Sequence, residues 1–128
     1  VVWYLDTSAF LKLITMEAET TAMRAWFSSH DPIWSSQLLY TEALRAGAHL
    51  GIGTDLVEDA LDAISLVLPS VTTFATAGRF QPPGLRSLDA LHLATALELG
   101  DDLEGVVAYD ARLIAAARAA AIEVVSPS

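Results

Sequence analysis

The chain has no cysteine. Disulfides, thiol catalysis and thiolate metal sites are therefore excluded, and nothing in its redox chemistry points to secretion. Basic residues are scarce: Lys12 is the single lysine beside six arginines, and the net charge is −9. A nonspecific nucleic-acid binder normally shows a basic patch, so a promiscuous polyanion binder is disfavoured. A metal-dependent one is not, because net charge speaks to attraction and not to fold. Long apolar runs are also missing. Asp6, Lys12, Asp59, Asp62 and Asp89 interrupt every stretch that might approach the roughly 18–20 residues of a bilayer span. The N-terminus lacks a basic region followed by a small-residue cleavage site. The expectation is a cytoplasmic protein with no membrane association. Glycine-rich phosphate loops of the GxGxxG or GxxxxGK type are absent, so nucleotide binding has no support.

What is present is a chain of 128 residues, 53% hydrophobic, with a mean hydropathy of +0.44. That length suits one domain over residues 1–128 with a core that needs no staples. The apolar excess suggests surface reserved for a partner or a second copy. Apolar runs and helical periodicity alternate. Strands are expected at Val1–Leu5, Pro32–Ser35, Val106–Tyr109 and Ile122–Val125, with a short one in Pro69–Val71. Helices are expected after Asp6, over Glu17–Ser29 and Ser36–Leu50, from Thr54 (as its cap) through Leu68, and over Ala75–Phe80. Two more are expected over Leu88–Leu99, capped by Ser87, and over Ala111–Ala121. Gln81-Pro82-Pro83-Gly84 reads as a loop within the domain. There is no internal repeat. The βα alternation predicts an α/β fold with a central parallel sheet of four to five strands and helices on both faces.

Four acids stand out in this pattern. Asp6 and Asp110 each follow a strand and precede a helix, placing them at the carboxyl edge of a parallel sheet, where ligands bind in open α/β folds. Asp89 opens one helix and Glu42 lies within another. Each has an ordinary reading: helix caps for Asp6 and Asp110, a first-turn charge for Asp89, and an ion pair with Arg45 for Glu42. Taken together those readings weaken, because Asp6 and Asp89 interrupt otherwise apolar stretches, where an unpaired aspartate costs stability. Carboxylates without matching lysines suit a hard divalent cation, Mg²⁺ in particular, which takes oxygen ligands and keeps several waters. Such ions orient phosphodiesters and activate water.

The segments Tyr4-Leu5-Asp6-Thr7-Ser8-Ala9, Thr41-Glu42-Ala43-Leu44-Arg45, Leu85–Ala96 and Val107–Leu113 resemble the PIN-domain family, and within it the VapC-type toxins of bacterial toxin–antitoxin pairs. The resemblance runs from the first strand to the last. It implies an Mg²⁺- or Mn²⁺-dependent ribonuclease in which Asp6, Glu42, Asp89 and Asp110 hold the metal, and a metal-activated water attacks an RNA phosphodiester in line. By the same resemblance Ser8 supports the first aspartate, and the partners are a cognate VapB-type antitoxin, an RNA substrate and a second copy of the chain in a homodimer. From their positions, Lys12 and Arg86 are candidates for phosphate contact. His92, three residues from Asp89, is expected to be buried and hydrogen-bonded and not a ligand. Two other classes compete. A receiver-like phospho-aspartate module would want an acidic pair after the first strand and a late lysine, where this chain has Thr7-Ser8 and only Lys12. A PIN-like interaction protein without catalysis would not need the complete quartet.

Overall fold

Val2–Leu5 carries almost no polar residue because the strand it forms is covered on both faces, as the central strand of a parallel sheet must be. In a computed structural model that describes residues 1–81 and 83–128, five strands pair in parallel: β1 (Val2–Leu5), β2 (Ile33–Ser36), β3 (Ser65–Val67), β4 (Leu103–Val107) and β5 (Val124–Val125). Their order is β3-β2-β1-β4-β5. The chain thus builds outward from β1 through β2 to β3, then returns to place β4 on the other side of β1 and continues to β5. The reversal makes the β1/β4 boundary the topological switch point of the sheet, where such folds open a crevice.

Among the described residues the helices are α1 (Thr7–Ile14), α2 (Thr20–Ser29), α3 (Leu38–His49), α4 (Thr54–Leu61), α5 (Val71–Gly78), α6 (Ser87–Glu98) and α7 (Ala111–Ala119). Strand alternation divides the core in two. Leu5 and Val107 face one layer, packed with Phe10, Met23, Leu39, Ala43 and Val57. Tyr4, Val106 and Ala108 face the other, with Leu93, Ala96, Leu113 and Ala117. Every residue from Ala90 to Ala96 of α6 is buried, as expected for a helix apolar on all sides. Trp3 and Trp26, core aromatics by sequence, meet edge-to-face with ring centroids 5.3 Å apart.

Five strands agree with the expected architecture, but several boundaries differ. The helix from Thr54 stops at Leu61, and its expected last turn is instead β3, pairing Ser65–Val67 with Trp34–Ser36. The strand expected in Pro69–Val71 is absent: Ser70 caps α5 in a reciprocal box with Thr73, so that helix starts four residues before Ala75. A three-residue edge strand is defined by its partner more than by its own pattern, and Ile64, Leu66 and Leu68 fit either period. β4 begins at Leu103 and ends at Val107, not Tyr109, because Gly105 pairs with Trp3. Thr54 and Ser87 are first helical residues and not caps; Gly53 and Arg86 take the cap positions. In the expected 81–84 loop, Pro82 lies outside the described residues, while Gln81, Pro83 and Gly84 are in neither helix nor strand.

Gly105 is required by close approach. A Cβ there would lie 2.7 Å from the Trp3 ring and 2.8 Å from the Glu123 carbonyl oxygen, which accepts the Val106 N–H at 2.8 Å. Gly105→Ala is expected to destabilise the fold by about 1–3 kcal/mol through overpacking at the β4/β5 seam. Urea denaturation checks this, and an unchanged midpoint would refute it.

Candidate active site

The carboxyl ends of β1 and β4 deliver Asp6 and Asp110 to adjacent positions. Asp6 prolongs the ladder, its N–H donating to the Val107 carbonyl at 3.0 Å. Its side chain then caps α1: Oδ2 accepts from the Ser8 N–H at 3.2 Å and from the Ser8 hydroxyl at 2.7 Å. That hydroxyl in turn accepts the backbone N–H groups of Tyr109 at 2.9 Å and Asp110 at 3.3 Å. One serine therefore ties both strand ends together. Asp110 caps α7, with Oδ1 accepting from Arg112 N–H at 2.8 Å and Leu113 N–H at 3.2 Å. The capping readings of Asp6 and Asp110 hold, and they coexist with membership of the cluster.

Asp89 lies in the first turn of α6. Its Oδ2 accepts from Arg86 Nε at 3.1 Å, and Arg86 Nη2 reaches Asp110 Oδ2 at 2.9 Å. The guanidinium thus spans two of the four acids, an internal cation where the sequence offered only a candidate phosphate contact. Its hydrogen bond to Asp89, then the charges of Asp89 and Asp110, hold it firmly protonated.

Glu42 extends from α3 and pairs with His92 and not with Arg45. Oε1 lies 2.7 Å from His92 Nε2 and accepts the Thr7 hydroxyl at 2.9 Å. His92 Nδ1 is 2.7 Å from the Tyr4 hydroxyl. The ring is 1% exposed, buried and hydrogen-bonded as its sequence context predicts. Thr7 and Tyr4 are site residues that the sequence reading did not single out. Thr7 was signalled only by adjacency to Asp6, and Tyr4 read as core. The remaining supporting candidate, Lys12, pairs with Glu17 at 3.1 Å and Glu19 at 3.2 Å and lies over the Tyr109 ring, 5.2 Å from its centroid.

Electrostatically, Asp6 is the centre. It is 3% exposed, and burial pushes its carboxyl above the usual range, a shift opposed by His92 and the Ser8 hydrogen bonds and reinforced by Asp89. For His92, burial pushes downward. The Glu42 hydrogen bond and the charges of Asp6, Glu42 and Asp89 outweigh it, and the net direction is up. Burial pushes the Tyr4 hydroxyl upward, so it stays protonated.

Each acid has one oxygen held by the protein, while Asp6 Oδ1, Glu42 Oε2 and Asp89 Oδ1 have no hydrogen-bond partner among the described residues. These are hard oxygen donors of the kind Mg²⁺ and Mn²⁺ take. Among the described residues no three such groups already stand as a closed cage, and Arg86 bridges two of the acids. The donor set fits a divalent cation by its chemistry and its excess negative charge.

The PIN domain family model matches residues 3–121. The chain belongs to the PIN-domain family. Among its relatives, Ribonuclease VapC46 of Mycobacterium tuberculosis (strain ATCC 25618 / H37Rv) is 37% identical over 126 residues, covering 98% of this chain and 97% of that one. Ribonuclease VapC47 of the CDC 1551 / Oshkosh strain is 35% identical over 133 residues, covering 97% and 96%. The crystal structure of M. tuberculosis VapC20, a sarcin–ricin loop-cleaving toxin, superposes with a TM-score of 0.77 at 17% identity, covering 98% of this chain and 99% of that one. That likeness concerns the fold. The PIN architecture and the VapC kinship read from the four sequence segments are thus confirmed over the whole described sheet. Among the described residues no helix is long and apolar enough to cross a membrane.

Asp6→Asn is expected to stabilise the metal-free PIN domain. Burial raises the folded carboxyl above its unfolded value, so the ionised form is the one that folding disfavours. The group's contribution therefore falls as pH rises from the ordinary carboxylate range through the raised folded value. Asparagine keeps the capping oxygen without the charge. With a chelator present, the gain should be about 1–2 kcal/mol at pH 8 and should shrink towards pH 4. Paired urea titrations at the two pH values measure it, and a loss or a pH-independent difference would contradict this account.

Proposed function

We propose that this PIN domain is a divalent-metal-dependent endoribonuclease, the toxin of a toxin–antitoxin pair. The carrying observation is the set of four carboxylates gathered at the β1/β4 switch point, each with one oxygen anchored by the protein, in a chain with full-length kinship to VapC ribonucleases. Asp6, Glu42, Asp89 and Asp110 are the residues that would hold Mg²⁺ or Mn²⁺. When bound, such an ion supplies the positive charge that makes a water acidic and offsets charge on a phosphodiester. The protein's own part is positional. Ser8 fixes Asp6 and the β4 end, so the two strand-end carboxylates keep their spacing. Thr7 and His92 fix Glu42, and the α7 N-terminus fixes Asp110. Held oxygens avoid reorganisation during reaction, the basis of preorganised electrostatic catalysis.

Arg86 neutralises Asp89 and Asp110 and is mostly exposed. We assign it a second task, meeting a phosphate of the RNA when it lets go of the acids. Lys12, committed to Glu17 and Glu19, is the less available cation. This division also answers the acidity of the chain, because a guanidinium at the site supplies local attraction that the net charge of −9 lacks. The exposed apolar side chains Leu68, Val71 and Phe74 around the start of α5 support a surface for a second copy or a VapB-type antitoxin, in keeping with the apolar excess.

Asp6→Asn should abolish Mg²⁺-dependent RNA cleavage while the circular dichroism spectrum stays native; retained cleavage by the purified variant sinks the assignment. Arg86→Ala should weaken RNA binding and lower the slope of log affinity against log salt by about 0.7, the value of one single-strand phosphate contact. The same variant should bind Mn²⁺ more tightly by calorimetry. An unchanged salt slope removes Arg86 from the substrate site.

A further inference from the structure

Glu42 differs from the other three acids in how it is held. Asp6 and Asp110 are anchored by backbone N–H groups at helix starts, and Asp89 by an exposed guanidinium. Glu42 lies in mid-helix, with no backbone donor to take, on a side chain with three rotatable bonds. Left alone it would sample several rotamers, and ordering it would cost conformational entropy. What orders it is a buried polar chain from three other elements: Tyr4 of β1, Thr7 of α1 and His92 of α6.

The direction of each hydrogen bond follows from the chemistry of the groups. A carboxylate oxygen only accepts, so His92 Nε2 is assigned the hydrogen in its 2.7 Å contact with Glu42 Oε1. In the neutral ring Nδ1 is then an acceptor, matched by the protonated Tyr4 hydroxyl at 2.7 Å. The Thr7 hydroxyl supplies the second donor to the same carboxylate oxygen at 2.9 Å. No buried side-chain nitrogen or oxygen among the described residues is left without a partner. Both donors converge on Oε1 and leave Oε2 unengaged.

We propose that His92 is a positioning residue for Glu42: oriented by Tyr4 and assisted by Thr7, it locks one carboxylate oxygen so that the other is presented to a divalent cation. This rests on the metal-dependent reading above and deepens it. A partner that orients a metal-binding carboxylate influences affinity without touching the ion, and losing such a partner typically costs about 10–100-fold. Tyr4, at the far end of the chain of bonds, sets the tautomer in the same manner that a second partner fixes an imidazole elsewhere.

The test is a double-mutant cycle read by Mn²⁺ calorimetry on chelator-stripped protein, with thermal melts confirming that each variant folds. His92→Leu should lower Mn²⁺ affinity about 10-fold or more. His92→Gln keeps an N–H able to reach Glu42 and should return affinity to within about 3-fold of wild type. In a Glu42→Ala background His92→Leu should change affinity by less than about 2-fold, since the interaction it removes is already gone. If His92→Leu does not fold, Thr7→Val, which removes the second donor from the same oxygen, is run through the same cycle and should show the same non-additivity. Equal losses in the two backgrounds, or a folded His92→Gln no better than His92→Leu, would overturn the assignment while leaving the metal site intact. Wild-type protein that binds no Mn²⁺, or a Glu42→Ala variant that binds it normally, overturns the metal reading itself and this inference with it, before any His92 variant is needed.

Discussion

A carboxylate almost without solvent, at the end of the central strand, is the constraint to which the rest of this PIN domain answers. Asp6 is buried because β1 is central, and β1 is central because the chain reverses its direction of sheet growth there. An ionised group in that position is unfavourable unless other groups compensate. The Ser8 hydroxyl, the Ser8 N–H and the nearby His92 provide part of that compensation. None of them removes the repulsion from Asp89. The site is thus built with negative charge that its own protein only partly answers, which is the electrostatic condition for taking up a cation.

The same acids serve the fold and the site, and the two uses are not in competition. Asp6 and Asp110 cap α1 and α7 through one oxygen. A cap needs only one acceptor, so a carboxylate has an oxygen to spare. Evolving a metal site from helix caps at a switch point therefore requires few extra residues, chiefly a serine to hold two strand ends together and a carboxylate from each of two further helices. Glu42 is the member that cannot be held as a cap, and it is the one for which a buried histidine is provided.

Arg86 adds a different element. An exposed guanidinium bridging Asp89 and Asp110 contributes little to stability, since exposed ion pairs are worth about 0–1 kcal/mol. A weak contact is useful in a group that must change partners. The buried His92 contact, by contrast, lies in a setting where breaking a hydrogen bond is costly. Rigid support behind the carboxylates and a yielding cation in front of them are consistent roles for residues six positions apart on one segment.

By itself the sequence determined the α/β class, the parallel sheet and the four acids. Those features are carried by local signals: apolar runs such as Val1–Leu5, helical spacing, and an aspartate placed directly after a strand. It also marked His92 as buried, because that residue stands in a helix apolar on every side. What it did not decide was partnership. Nothing near Glu42 in the chain announces His92, fifty residues away, or Tyr4 beyond it. The joining of Asp89 to Asp110 through Arg86, and of Asp6 to the end of β4 through Ser8, depends on the strand order β3-β2-β1-β4-β5, as does the identity of β3. Hydrogen bonds and short-edge strands take their meaning from groups brought close in space, and only the folded sheet brings those groups together.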